Sequence, residues 1–222
     1  MGFSLNGKDI KDIYYGNVKI SEAWINGNKV YSNALPVFIN YLFRDIDENG
    51  NLTLATGALE DASEITKIGP SGLYYAFYNC TELTGSVSFP NLTSIDETGL
   101  YCAFYRCSGL TGSISFPNLT SIGSKGLSGA FYYCSGLTSI SFPNLTSIGS
   151  SGLSDAFFYC SGLTGSISFP NLTSIGSSGL YSAFNGCTGI TEVHFKSSLS
   201  GNSQCTVSNM RCTNATVYFD LP

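Results

Sequence analysis

Eight cysteines are the residues of this 222-residue chain best suited to metal or redox chemistry. Five of them end the string Ala-Phe-x-x-Cys, at intervals of 26 or 27 residues. A metal site needs several ligands that converge, typically as Cys-x-x-Cys pairs, whereas each repeat here supplies one thiol. Because stacked repeats lie about 4.8 Å apart, we expect a row of reduced, buried thiols that behave as small hydrophobic side chains; disulfides or a metal site are the alternatives. The five are Cys80, Cys107, Cys134, Cys160 and Cys187.

The three remaining cysteines do not end an Ala-Phe-x-x-Cys string. Cys102 occupies a position where other repeats have Tyr, Gly, Asp or Ser, so we expect it to be exposed or half-exposed. Cys205 and Cys212 are the pair near enough in sequence to form a disulfide readily. The start of the chain lacks the basic and apolar segments of a secretory signal, so nothing in the sequence indicates an oxidising compartment, and free thiols are the favoured interpretation.

Two further patterns concern metal ions. Asp45, Asp47 and Asn49, followed by Gly50, match the first half of a calcium-binding loop, but Thr56 stands where the bidentate Glu should be. A plain turn is therefore the favoured interpretation, with calcium as the alternative. His194 is the single histidine, which excludes sites that need two imidazoles; it aligns with outward-facing serines, and we expect it to be solvated. We predict no cofactor.

Composition excludes several function classes. Only 11% of the residues are charged and the net charge is −5, so a phosphate-tracking basic surface is absent and nucleic acid is excluded as a main partner. No apolar run approaches the roughly 18 residues of a membrane span, so no membrane insertion is predicted. No acid/base pair recurs in the repeats, and nothing activates a nucleophile. We therefore predict that the protein is not an enzyme, although Asp155 and Arg106 are isolated charges that could line a groove.

Aromatic residues are concentrated around each Ala-Phe-x-x-Cys string. The Leu, Ala, Phe and Cys of each string already supply an inward face, so several of these rings should lie outside. Tyr combined with Ser and Gly is typical of adaptable recognition surfaces, and rows of Tyr can stack on sugar rings. The alternative is that neighbouring rings pack on one another. The candidate ligand-binding positions are Tyr74, Tyr75, Tyr78, Tyr101, Tyr105, Arg106, Tyr132, Tyr133, Phe158, Tyr159 and Tyr181.

The repeat determines the elements that position these residues. The string Phe-Pro-Asn-Leu-Thr-Ser-Ile recurs in phase from Phe89, Phe116, Phe142 and Phe169. The alternation before each Phe predicts a strand that Pro ends, and Thr-Ser-Ile predicts a second short strand. The Gly in Leu-Thr-Gly-Ser-Ile, absent from the shortest repeat, predicts a bulge. Leu153, Ala156, Phe157 and Cys160 have the spacing of a short helix. Since one such unit cannot bury its own apolar side, the units must stack into a β-rich α/β solenoid.

The pattern AFxxCxxLxxIxFPxLTSIG over residues 59–195 resembles the BspA-like leucine-rich repeat of bacterial surface proteins and some phage-encoded proteins. This resemblance implies a right-handed coil, here of about five 26–27-residue turns, and a role in adhesion and protein interaction rather than catalysis. The repeats here are longer than is usual for that class. Residues 1–33 form two alternating segments with hairpin signals at Gly16-Asn17 and Asn26-Gly27, and they are similar to N-terminal segments of phage tail-associated proteins.

We therefore divide the chain into an N-terminal β-hairpin module (1–33), an N-terminal cap with a divergent half-repeat (34–68), a leucine-rich repeat solenoid (69–195) and a C-terminal cap (196–222). The predicted function is recognition or adhesion at a cell-surface glycan or protein, at an extracellular or virion surface. In the virion version, residues 1–33 attach to other virion proteins. The alternative is a structural spacer whose repeats self-associate.

Overall fold

The computed structural model describes residues 66–81 and 83–222 in full, and the backbone of six short strands within the first 54 residues. These strands form three antiparallel hairpins: β1 (Phe3–Leu5) with β2 (Lys8–Ile10), β3 (Ile13–Tyr15) with β4 (Val18–Ile20), and β5 (Phe43–Ile46) with β6 (Leu52–Leu54). The β3–β4 pair flanks Gly16-Asn17, which confirms the hairpin predicted there. Asn6-Gly7, between β1 and β2, is a further hairpin signal that was not predicted, and the hairpin predicted at Asn26-Gly27 lies outside the described residues.

Residues 66–81 and 83–222 form a solenoid, in which a coil typically contributes two parallel strands and one segment of turns. The shorter strands pair in one continuous five-stranded sheet. They are β7 (Lys67–Ile68), β9 (Ser94–Ile95), β11 (Ser121–Ile122), β13 (Ser147–Ile148) and β15 (Ser174–Ile175). The β-rich repeat architecture predicted from the sequence is therefore confirmed.

The longer strands are divided between two three-stranded sheets. One has the order β12-β10-β8 and the other β14-β16-β17. In the first, the register shifts between Gly112 and Ser113 (Gly112 has φ +95°), which confirms the predicted glycine bulge. The division falls after the repeat that lacks this glycine. The strands are β8 (Gly85–Ser88), β10 (Leu110–Ser115), β12 (Leu137–Ser141), β14 (Thr164–Phe169), β16 (Gly189–Lys196) and β17 (Thr216–Leu221).

The third side of each coil consists of successive turns, and the prediction of a short helix at Leu153–Cys160 is wrong. The backbone N–H groups alternate between two kinds of acceptor. The N–H of Ala76 donates to the carbonyl of Leu73 in the same coil (3.1 Å), whereas the N–H of Tyr75 donates to the carbonyl of Tyr101 in the next coil (3.0 Å). An α-helix keeps all of these bonds within its own segment. Here the neighbouring coil supplies half of the acceptors, so the segment forms successive turns instead of a helix.

This alternation requires a left-handed backbone conformation at every fourth residue. In the third coil the positions are Lys125 (φ 52°), Gly129 (φ 61°) and Tyr133 (φ 60°), and the other coils repeat the pattern. Such φ values disfavour residues other than Gly and cost about 1 kcal/mol or more each. The N–H group of each of these three residues donates to the next coil, so the strain is offset only when the coils are stacked.

Two stacks of phenylalanine rings form the centre of the solenoid. In one stack, Phe77, Phe104, Phe131, Phe157 and Phe184 follow one another at centroid distances of 4.7–5.8 Å. In the other, Phe89, Phe116, Phe142, Phe169 and Phe195 are spaced at 5.3–5.9 Å. All ten rings are at most 1% exposed. Full burial of each contributes about 1.5–3 kcal/mol, which makes these two stacks the main hydrophobic core.

The five in-phase cysteines lie beside the phenylalanine stacks as buried residues that form no disulfide. The thiols of Cys107, Cys134, Cys160 and Cys187 each donate to the carbonyl of a Phe in the preceding coil, at 2.9–3.0 Å. That carbonyl also accepts the backbone N–H of the Cys in its own coil. A cysteine therefore fills a small apolar space and adds a hydrogen bond between coils.

The Pro-Asn-Leu-Thr strings are hydrogen-bonded to the preceding coil through their side chains. The Nδ2 atoms of Asn118, Asn144 and Asn171 each donate to a Pro carbonyl at 2.7 Å. The hydroxyls of Thr120 and Thr146 donate to the carbonyl of the preceding Thr in the row, at 2.9 and 2.8 Å. These polar side chains therefore hold one coil to the next.

The C-terminal segment adds a last coil, so the solenoid has about six turns where the sequence predicts about five. A single 3₁₀ turn (Ser197–Leu199) follows β16, and the one-turn helix α1 (Val207–Met210) precedes β17, which pairs in parallel with β16. The N–H groups of Ser182 and Phe184 donate to the carbonyls of Asn209 and Met210. Cys205 and Cys212 are free and buried in this coil.

We predict that Asn144→Asp destabilises the solenoid. The substitution replaces a donor with a carboxylate oxygen that faces the carbonyl of Pro117, which accepts from Nδ2 at 2.7 Å. Because the bond is exposed to solvent, losing it should lower the free energy of unfolding by about 0.5–1.5 kcal/mol, measured by urea denaturation. Ser135→Asp, which adds the same charge at an exposed position of the same coil, serves as the control. Equal stability of the two variants would contradict the prediction.

We also predict that the thiols do not react in the folded protein. Burial raises the pKa of Cys134 to about 12 and that of Cys160 well above its usual value, and only the thiolate is nucleophilic. Iodoacetamide at pH 8 should leave the mass of the native protein unchanged and should add eight groups in denaturant without a reductant. Fewer adducts in denaturant would show that some cysteines are bridged.

Candidate recognition surface

The in-phase positions between the inward residues of the turn segments form columns, because corresponding residues of successive coils lie above one another. We number the columns by their distance before the in-phase cysteine. Column −1 holds Asn79, Arg106, Tyr133, Tyr159 and Gly186. Column −2 holds Tyr78, Tyr105, Tyr132, Phe158 and Asn185. Column −5 holds Tyr75, Cys102, Gly129, Asp155 and Ser182, and column −6 holds Tyr74, Tyr101, Ser128, Ser154 and Tyr181.

Column −2 is a continuous stack of four aromatic rings. Centroid distances from Tyr78 through Tyr105 and Tyr132 to Phe158 are 4.7, 4.6 and 4.4 Å, with interplanar angles of 8, 11 and 5°. Inside the stack, each ring covers the face of its neighbour. Edges and hydroxyl groups therefore point to solvent, while the inner faces are not available to a ligand.

The most exposed aromatic residues lie at the ends and along the sides of this stack. Tyr74 is 50% exposed and Tyr159 is 47% exposed, and Tyr78, Tyr133 and Tyr181 are also exposed. Tyr133 and Tyr159 form a second, shorter stack in column −1 at 5.2 Å. Together with column −2 and the exposed rings of Tyr74 and Tyr181 in column −6, they make up the tyrosine-rich face on the turn side of the solenoid.

Two arginines lie on the rings of this face. The guanidinium carbon of Arg106 is 5.6 Å from the ring centroids of both Tyr105 and Tyr133. Arg211, from the last coil, lies 5.5 Å from the centroid of Tyr181 and donates to its hydroxyl at 3.2 Å. Arg211 was missed by the sequence analysis, although it immediately precedes Cys212 as Arg106 precedes Cys107.

Cys102 is buried, so the expectation that it is exposed or half-exposed is wrong. Hydrogen bonds join its thiol to the side chains of Tyr75 and Tyr101, and burial raises its pKa. Tyr75 packs against Tyr74, Tyr78 and Tyr101 at centroid distances of 4.7–5.6 Å. The rings around Cys102 therefore shield it from solvent.

The metal-binding candidate lies mostly outside the described residues. Asp47 and Asn49 fall there, and Asp45 belongs to β5, of which only the backbone is described. Among the described residues, no group of three or more His, Cys, Asp or Glu side chains is arranged to hold a metal ion. No helix in this part of the chain has the length and hydropathy that a membrane span requires.

His194 is paired rather than simply solvated, which corrects the expectation from the sequence. Its Nδ1 atom lies 2.9 Å from a carboxylate oxygen of Asp220 in β17, and its Nε2 atom lies 3.3 Å from Glu192 in β16. Its ring stacks on Tyr218 at 4.9 Å. The hydrogen bond to Asp220 is the largest influence on the pKa of His194, which is raised. Asp220 escaped the sequence analysis because only strand pairing brings it to His194.

We predict that this pairing makes stability depend on pH. Because the pKa of His194 is raised above its unfolded value of about 6.5, its contribution is present in full below that pH while the carboxylates stay ionised. The contribution is lost as pH rises through the folded pKa. For a pair this exposed, we expect the free energy of unfolding to fall by about 0.5–1 kcal/mol as pH rises through this range. His194→Gln should remove this dependence in urea denaturation between pH 5.5 and about 8.5. A variant as pH-dependent as the parent would contradict the prediction.

Comparison with known proteins assigns the repeats. The model of the BspA type leucine rich repeat region matches residues 59–178 and 153–220, in six copies. A leucine-rich repeat protein of T. pallidum has 20% identity and a TM-score of 0.49, with 82% of this chain and 81% of that chain covered. One from Bacteroides ovatus has 17% identity and a TM-score of 0.20, with 78% of this chain and 66% of that chain covered. No curated protein matches the sequence. The repeat match covers most of the chain, and the protein belongs to the BspA-type leucine-rich repeat family.

Proposed function

We propose that this protein is a non-catalytic, adhesion-type recognition protein that binds a cell-surface protein through its tyrosine-rich face. BspA-type repeats suggest a protein-binding or adhesion-type role. The observation that carries the proposal is the tyrosine-rich face, whose ring edges, hydroxyl groups and two arginines point to solvent. Tyr and Arg are enriched at protein interfaces, and the low charge of the chain leaves little else with which to bind.

A protein partner suits this face better than a glycan. Sugars bind aromatic residues through the open face of a ring, and within column −2 these faces are covered at 4.4–4.7 Å. Ring edges, hydroxyl groups and guanidinium groups can contact the mixed polar and apolar surface of a protein. A cell-surface polysaccharide is accordingly the second ligand class to be tested.

The proposed place of action is an extracellular or virion surface. In the virion version, which the hairpin pattern of residues 1–33 suggested in the sequence, these residues contact other virion proteins and the repeats face the host. The hairpins β1–β2 and β3–β4 lie within this segment. A spacer that self-associates through its repeats is the alternative role.

The test removes the most exposed rings while leaving the column −2 stack intact. We predict that changing Tyr74, Tyr133, Tyr159 and Tyr181 together to Ser lowers affinity at least about tenfold, because exposed aromatic anchors dominate interface energies. Binding of labelled protein to bacterial cells, their extracted surface proteins and purified polysaccharides is measured. Thermal melting checks that the variant is folded.

The matched control carries the same number of changes on the strand side: Thr84, Thr111, Thr138 and Thr164 to Ala, all exposed. It should bind like the parent. Equal binding by the tyrosine variant would overturn the proposed face. A parent that binds no sample but runs as a defined oligomer would favour the spacer.

A further inference from the structure

The long strands are not paired between the third and the fourth coil. β12 belongs to the third coil and β14 to the fourth, and each lies at the edge of its own three-stranded sheet. The N–H of Phe116 in the second coil donates to the carbonyl of Ser141 in the third at 3.2 Å, whereas in the described part of the chain no corresponding bond joins Phe142 to Ser168. We name the unpaired boundary between β12 and β14 the strand break.

The other two sides of the same two coils are bonded to each other. The short strands β11 and β13 pair in parallel, and on the turn side five N–H groups within residues 125–133 donate to carbonyls of the fourth coil at 2.8–2.9 Å. On the turn side, Tyr132 and Phe158 have the shortest ring spacing in column −2, at 4.4 Å. Beneath the long strands, Phe142 and Phe169 have the longest spacing in their stack, at 5.9 Å. The two coils therefore diverge towards the strand side.

Side chains at the strand break are less covered than their counterparts in other coils. Ile140 is half-buried, whereas the residues at its position in the first, second, fourth and fifth coils are at most 4% exposed. A Cβ atom at Gly112 would lie 2.8 Å from the Oγ of Ser86 in the preceding coil, but a Cβ atom at Gly165 would meet no atom within 4 Å. The space between Gly165 and the third coil is therefore open.

The order of the bulge glycines accounts for the strand break. The first, second and fourth coils have this glycine, with φ values of 77–95° at Gly85, Gly112 and Gly165, and the third, fifth and sixth coils lack it. The long strands pair where both coils have the glycine (β8–β10), where both lack it (β16–β17), and where a coil that has it precedes one that lacks it (β10–β12 and β14–β16). Among the described coils, the reverse order occurs between the third and the fourth alone. A bulge bends its strand and disrupts the ladder locally, and here the straight strand that precedes it cannot follow.

We propose that the strand break is a hinge, at which coils one to three and coils four to six bend as two parts about the bonded turn side. In a solenoid each coil contacts only its neighbours, so opening concentrates at the boundary with the fewest bonds. Widening the strand side curves the solenoid towards the turn side, and the tyrosine-rich face then becomes more concave around a partner. This last consequence rests on the proposed function, whereas the hinge itself does not.

Hydrogen exchange of single backbone amides, measured by NMR on the full chain, tests the strand break without a partner. Phe116 and Phe142 are matched residues, since both are buried and both precede a proline. The amide of Phe142 should exchange at least about tenfold faster, because the amide of Phe116 has an acceptor in the next coil. Equal exchange rates would overturn the proposal.

Two variants should close the strand break by making the third and fourth coils alike. One inserts a glycine between Thr138 and Ser139, and the other deletes Gly165, so that failure of one variant to fold leaves the other. Each should slow the exchange of Phe142 to the rate of Phe116. Deletion of Gly112 is the matched control, because it leaves both coils of the break unchanged and should leave Phe142 fast. If the amide of Phe142 stays fast in both closing variants, the proposed cause is wrong and the proposal fails.

A measurement of distance detects the bending itself. Thr84 and Thr191 are exposed on the strand side of the first and fifth coils, about 19 Å apart for four coils at the usual spacing of strands. Thr84→Cys and Thr191→Cys together allow spin labelling while the native thiols are buried. Pulsed EPR should give a broader distribution of distances in the parent background than in the glycine insertion. Equal widths would overturn the hinge. Since neither measurement uses a partner, that result would leave the proposed function standing.

Discussion

The backbone of each coil hydrogen bonds largely to the coils on either side, and this imposes a spacing of about 4.8 Å on every in-phase residue. On the turn side, half of the N–H groups have acceptors some 26 residues away in sequence. The same bonds hold residues such as Lys125 and Tyr133 in left-handed conformations that an isolated segment would avoid. Each coil is therefore stable only against its neighbours.

A fixed spacing also explains the choice of side chains. It suits stacked phenylalanines in the core and stacked tyrosines outside, because aromatic rings pack well at 4.4–5.9 Å. It places Asn144 Nδ2 against the carbonyl of Pro117, and the thiol of Cys134 against that of Phe104. Small polar groups thus join one coil to the next in a chain with few charged residues. A charged residue at the same position of every coil would be repelled by its copies in the neighbouring coils.

Where such a structure is regular it provides stability, and where it departs from regularity it can provide specificity. Column −2 carries an aromatic ring in four successive coils, and these rings cover one another. Column −6 loses two rings at Ser128 and Ser154, and column −5 acquires a carboxylate at Asp155 in the same place. A regular face presents the same chemistry along its length, so these departures are the places where the chemistry of the turn side changes from coil to coil.

The sequence by itself determined the period, the inward residues and the row of buried cysteines, because a stacked repeat must bury the same positions in every copy. It also indicated the bulge at Gly112, since a glycine missing from one copy leaves the remainder in register. Tertiary structure decided the turns that replace the predicted helix, the burial of Cys102 and the pairing of His194 with Asp220. It also decided that the column −2 rings cover one another. In each of these cases the partner lies in another coil, about 26 residues away, and local spacing carries no information on the distance between coils or on which groups meet across it.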